Sequence, residues 1–212
     1  MTKLSRRFLK LVAESIDDVE MANDKVIFSP TKHIVRGFFL EGTPNKNEFY
    51  MWSIVVPLFG VCKPNMTLNY SDRFSLRDDL LEERININEN VDKLVESVVR
   101  RLEEKVIPFW RGIINPEDFL KKFDSRGNFG RINIALDLAI AHCLSGHVNL
   151  GEKKLREILD FKSESPIAPL MREMAIAFLD ALNESNKSFQ ELVVSIENEN
   201  IVNHFPGLTW IK

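Results

Sequence analysis

Apolar residues near the start of the chain recur at three- and four-residue steps: Leu4, Phe8, Leu11, Val12, Ile16 and Val19. That period places them on one face of an amphipathic helix. Arg6, Arg7 and Lys10 fall off the stripe and read as its solvated face, with a surface for an anionic partner as the other reading.

The pattern then shortens. Val26-Ile27-Phe28 and the run from His33 to Leu40 have strand character, and the cluster from Gly42 to Asn47 is rich in turn formers. The run from Phe49 to Phe59 is the strongest strand. Its near-continuous apolar character suggests burial on both faces or a helix-covered sheet. Pro57 cannot donate to a ladder, so it marks an edge, a bulge or the strand's end. Met66 to Tyr70 could add one more strand. Together these segments predict an antiparallel β-meander over about residues 25–75.

From Asn88 or Asn90 onward the period returns to that of a helix. Val91, Leu94, Val95, Val98, Val99, Leu102, Val106 and Phe109 predict one long helix. Asn115-Pro116-Glu117-Asp118 is a second start, with Asn as N-cap, Pro at the first helical position and acids in the first turn. Phe119, Leu120 and Phe123 form its apolar side. Further helices are expected from about Arg131 to Ser145, stopped by Gly146, and from about Leu150 to Phe161. A third opens at Pro166 or Pro169, and a fourth is capped by Ser185 or Ser188. The tail from Phe205 to Lys212 is apolar for a terminus and either folds back or docks a partner. The fold class that follows is α+β, as a single domain over 1–212, with the β-rich part at about 25–75 and the helical part at about 88–204.

The stretch from Leu138 to Leu159 resembles one tetratricopeptide repeat. Leu138 and Ala139 occupy the small-residue contact of the first helix, Gly146 the turn and Gly151 the small position of the second helix. The resemblance implies two antiparallel helices in close approach. Repeat arrays need about three units to be stable, and self-comparison gives no second copy, so a local helical hairpin is expected. The overall plan, a β-rich N-terminal third before helices, is similar to that of uncharacterised bacterial proteins. Some proteins of this shape act as immunity or accessory factors beside competition toxins.

Composition narrows the classes. The net charge is −3, and a dedicated nucleic-acid binder normally carries a strong basic excess, so nucleic acid is not the expected partner. Phe is abundant, at 15 against 2 Tyr, and a ring without a polar handle belongs in a core. Two cysteines, Cys62 and Cys143, form no C-x-x-C motif and read as buried thiols of a reducing compartment. No apolar run reaches the roughly 18 residues of a membrane span, and the basic start lacks the apolar stretch of a signal peptide. A cytoplasmic protein without a membrane segment is expected.

The chemistry-bearing motifs are sparse. His142-Cys143-x-x-x-His147 lacks the i, i+4 spacing that puts two ligands on one helical face, so no metal site is expected. There is no Gly-x-Ser-x-Gly elbow, neither cysteine sits in a nucleophile context, and no catalytic residue or cofactor is assigned. Arg126, Gly127, Gly130 and Arg131 open a helix, where free backbone N–H groups could hold an anion. Tyr50 and Trp52 alternate with Met51 and therefore share one face of the main strand. If helices cover only the other face, these two rings, with Trp210 in the tail, are anchors for a protein partner; if both faces are covered, they are core. The expected function is a non-enzymatic protein-interaction domain. The alternative is an enzyme whose site is assembled from dispersed carboxylates, arginines and His142 or His33.

Overall fold

A computed structural model describes residues 2–29, 31–61, 69–76, 83–87, 90–126 and 131–208. Its elements are α1 (Lys3–Glu14), β1 (Val19–Ala22), β2 (Lys25–Phe28), β3 (Ile34–Gly42), β4 (Glu48–Pro57), β5 (Asp72–Arg73), β6 (Ile85–Asn86), α2 (Val91–Arg101), α3 (Ile107–Arg111), α4 (Pro116–Phe123), α5 (Ile132–Leu144), α6 (Val148–Leu159), α7 (Ala168–Glu184) and α8 (Asn186–His204). The class is α+β, with an antiparallel meander followed by helices. Two compact units are formed. One comprises residues 1–56, 67–112 and 205–212, the other residues 57–66 and 113–204.

In the first unit the sheet runs β1-β2-β3-β4-β5, and β6 pairs with β4. Phe49 and Met51 are buried on the face that receives α1, where Phe8 meets the Phe49 ring at 5.2 Å. Phe38, on β3, stacks on Trp110 of α3 at 6.1 Å, and both side chains are fully buried. Arg36 shares this interior. Its guanidinium donates to the Trp110 carbonyl at 3.3 Å and the Phe28 carbonyl at 3.4 Å, tying α3 to β2, and burial pulls its pKa down. Phe205 is buried against Lys25, whose ammonium lies 5.9 Å from the ring centre, so the described part of the tail folds back.

The first helix stops earlier than its stripe suggests. Ile16 is buried beyond its end, and Val19 begins β1, a strand the periodicity concealed. Asp18 at φ 61° turns the chain, and Asn23 at φ 58° makes the tight return into β2. Asn and Asp tolerate this left-handed region better than other non-glycine residues. Lys10 pairs with Glu14 at 3.5 Å, whereas Arg6 and Arg7 are exposed, a solvated face. The strand expected over Met66–Tyr70 lies mostly outside the described residues. Asn69 and Tyr70 form a turn, and pairing resumes at β5. Pro57 is the last residue of β4, and β4 is buried on both faces only in its second half.

The long helix expected from Val91 to Phe109 is divided. Between α2 and α3 lies a π-helical turn over Leu102–Val106, in which Ile107 N–H donates to the Leu102 carbonyl, five residues back. Pro108 has no N–H to give the Glu104 carbonyl, and its ring crowds the preceding turn. The π turn absorbs this by inserting one extra residue. The inward stripe therefore slips by one: Ile107 and Trp110 are buried where Val106 and Phe109 would have been.

In the second unit α5 is the central helix, buried on nearly every side. Gly146 at φ 84° ends the α5 segment in the left-handed conformation that glycine accommodates. The helical hairpin α5–α6 has the expected close approach. A Cβ at Gly151 would collide with the Cys143 thiol, the Ala139 carbonyl and the Cys143 backbone nitrogen. The capping residues act as the sequence implies. The Asn115 side chain accepts from Asp118 N at 3.0 Å, and Ser185 Oγ accepts from Ser188 N at 3.0 Å. Asn200 of α8 fastens the turn after β4 by donating to the Leu58 and Gly60 carbonyls at 2.6 and 2.8 Å.

Candidate functional site

Residues Tyr50 and Trp52 lie on the side of β4 opposite Phe49 and Met51, and both are half-buried. The strand register brings their neighbours. Arg73 stands directly across from Trp52 on β5, and β6 pairs Ile85 with Phe49 and Asn86 with Glu48. The Arg73 guanidinium lies 4.9 Å from the Trp52 ring centre and 4.4 Å from that of Tyr50. Arg84 donates from Nε to the Tyr50 hydroxyl at 2.7 Å and lies 5.7 Å from the same ring. On the other flank, Phe39 of β3 stacks on Trp52 at 6.4 Å with the rings nearly parallel. The indole N–H of Trp52 donates to Glu41 at 2.8 Å, and Glu41 also pairs with Arg73 at 3.7 Å.

The result is a ladder of rings and guanidinium planes, Phe39–Trp52–Arg73–Tyr50–Arg84, with Glu41 and Glu48 at its margin. Cross-strand pairs of this kind hold side chains in fixed rotamers, and guanidinium stacking keeps the arginine heads at the ring faces. The helices leave this part of the sheet half-open, so the rings belong neither to a sealed core nor to a bare surface. Sequence reasoning found Tyr50 and Trp52 through their alternation. It missed Phe39 and Arg84 and did not connect Arg73 with the two rings; the strand register brings all three alongside.

Arg131, exposed, is the N-cap residue of α5 and makes no side-chain capping bond. Gly127 and Gly130 lie outside the described residues, as does the side chain of Arg126, and so does Trp210. His33 precedes β3 in the first unit, and His142 sits in the last turn of α5 in the second. Cys143 is buried, and burial pushes its thiol up to about 12.

Around His142 the second unit gathers ionisable groups from four elements. Its ring is buried, with Nε2 at 3.3 Å from Asp124 Oδ2. Asp124 Oδ1 takes Lys154 of α6 at 3.3 Å. His147 stands edge-on to His142 at 5.9 Å and pairs with Glu117 of α4 at 3.3 Å. Burial lowers the His142 pKa; Asp124 opposes that shift, and Lys154 and His147 reinforce it. These are two separate histidine–carboxylate pairs. Among the described residues no group of three or more His, Cys, Asp or Glu side chains converges as a metal site.

Beside the cluster is a cavity of about 260 Å³, walled by Ala135, Leu138, Ile158 and Phe161, with Asp124, Lys154 and Glu157 as its polar members. His142 is not in its wall, so the buried imidazole does not face this space. Among the described residues no helix is long and apolar enough to cross a membrane. Family models, curated proteins and solved structures were compared with the chain, and none of them matches it.

Proposed function

We propose that the chain is a non-enzymatic protein-interaction domain, of the immunity or accessory type, and that the Tyr50–Trp52 face of its sheet receives the partner. The observation that carries this reading is the half-open ladder of Phe39, Trp52, Arg73, Tyr50 and Arg84. Trp, Tyr and Arg are the residue types that dominate binding hot spots. Here they are already held in place by one another and by Glu41, so little side-chain entropy remains to be lost on association. A partner suited to this face sets apolar side chains against the rings of Phe39, Trp52 and Tyr50. The enzyme alternative has less support: the cavity beside Asp124 does not include the buried histidine.

The test pairs capture with substitution. Tagged protein is used to recover a stoichiometric partner from the native host, and the purified pair is then titrated. Trp52→Ala and Arg73→Ala should each weaken binding by about 2 kcal/mol or more, roughly thirtyfold, with each variant still folded at the titration temperature despite the loss of about 0.2–1 kcal/mol of stability per cross-strand pair. Lys187→Ala, on the exposed face of α8, should change nothing. A partner that binds both ladder variants as tightly as the wild type would refute the assignment of this face.

A further inference from the structure

One carboxylate in the second unit serves two basic groups. Asp124 Oδ1 holds Lys154 and Asp124 Oδ2 faces His142, both at 3.3 Å. The imidazole is almost completely shielded, with 7% of its side chain accessible, whereas Asp124 and Lys154 keep about a third. The ion pairs around the imidazole are complete without a charge on it, since Asp124 pairs with Lys154 and Glu117 with Lys121 at 3.5 Å. A proton on His142 adds a buried positive charge, and the anion that faces it, Asp124, is already engaged by Lys154. The groups facing the imidazole are Asp124 on the turn after α4, Lys154 on α6 and His147 at the start of α6, with Glu117 of α4 behind His147.

We propose that Asp124, His142 and Lys154 form an acid-operated switch, in which a proton on His142 draws Asp124 away from Lys154 and loosens the junction of α4, α5 and α6. A single carboxylate that serves two bases, each through its own oxygen, is the shared element whose balance a proton on the imidazole changes. The wall of the 260 Å³ cavity changes with it, because Asp124 and Lys154 both line that space.

The sign follows from linkage. Burial depresses the folded-state pKa of His142 below the unfolded value of about 6.5, so the unfolded chain binds the proton more readily. Its contribution to stability is complete above about pH 6.5 and is lost as the pH falls through the window below.

The experiment uses the full chain and compares wild type with His142→Gln, with His147→Gln as the control for the neighbouring ring. In wild type the folded-to-unfolded ratio should drop by up to about tenfold per pH unit below about pH 6.5. Hydrogen-exchange protection around Lys154 should fall over the same window. His142→Gln should remove both responses, and His147→Gln should retain them. NMR titration of the His142 ring supplies a readout that needs no folded glutamine variant. Asp124→Asn should move the midpoint down and Lys154→Met should move it up, because they remove the group that favours the proton and the group that competes for Asp124. A His142 ring that titrates at or above about 6.5 in wild type, a midpoint unmoved by Lys154→Met, or parallel pH responses in wild type and His142→Gln would each overturn the switch.

Discussion

Replacing Gly151 with alanine sets two effects of known sign against each other. Gly151 lies inside α6, and alanine favours a helix interior over glycine by about 1 kcal/mol. On propensity alone the variant would be more stable. The packing says otherwise. The new Cβ would lie against the Cys143 thiol, 2.8 Å from the Ala139 carbonyl oxygen and 2.9 Å from the Cys143 nitrogen. Two of these three atoms belong to the backbone of α5, which cannot rotate away as a side chain can. Helix α6 would have to back off, dragging the buried Leu155 and Ile158 with it. Overpacking of this kind costs about 1–3 kcal/mol, and more where backbone must move. The net expectation is a loss of about 1–2 kcal/mol, a fall of roughly 2–4 °C in Tm per kcal/mol at this chain length. Urea unfolding of the two proteins decides the matter. Adding Cys143→Ala removes the thiol contact but leaves both backbone contacts, so the double variant should remain less stable than Cys143→Ala alone. A Gly151→Ala protein as stable as wild type, or more so, would show that the two helices do not approach as closely as this reasoning requires.

Two further expectations rest on single contacts. Asn200→Ala removes the amide that holds the Leu58 and Gly60 carbonyls, leaving buried acceptors unsatisfied at a cost of about 1–3 kcal/mol. An unchanged denaturation midpoint would dismiss that role. Cys143, with its thiol pushed up to about 12, should resist alkylation in the native protein at mildly alkaline pH and react on unfolding. Peptide mapping that finds it modified at the rate of an exposed thiol would contradict its burial.

The helical half was legible because its signals are local. Asn115 and Ser185 act through bonds to residues three positions away, Pro116 through its fixed φ and Gly146 through its own backbone freedom. The errors arise where one pattern is interrupted by another. The stripe through Ile16 and Val19 kept its helical spacing across a break, so β1 was hidden inside it. Pro108 sat in plain view within the stripe of α2, but a proline can be met by a kink, a stop or a π turn, and each gives a different phase downstream. The π turn moved the inward positions to Ile107 and Trp110, which is why the largest buried side chain of the first unit escaped the list of core candidates.

The sites were less legible than the fold for a reason of range. Alternation along β4 places Tyr50 and Trp52 on one face whatever the rest of the chain does. Which residues stand beside them depends on register, and the connections from β4 to β5 and from β5 to β6 are too long to fix it as a two-residue hairpin turn would. Arg73 and Arg84 become ring-stacking partners only through that register. The same holds for His142. Read alone, it is a histidine near a helix end, where the dipole favours a cation. The folded unit reverses the sign of that expectation, because burial outweighs the dipole and the carboxylate that would stabilise the cation is shared with Lys154. A residue's local pattern thus fixes where its side chain points, whereas its chemistry is set by neighbours that only the tertiary fold supplies.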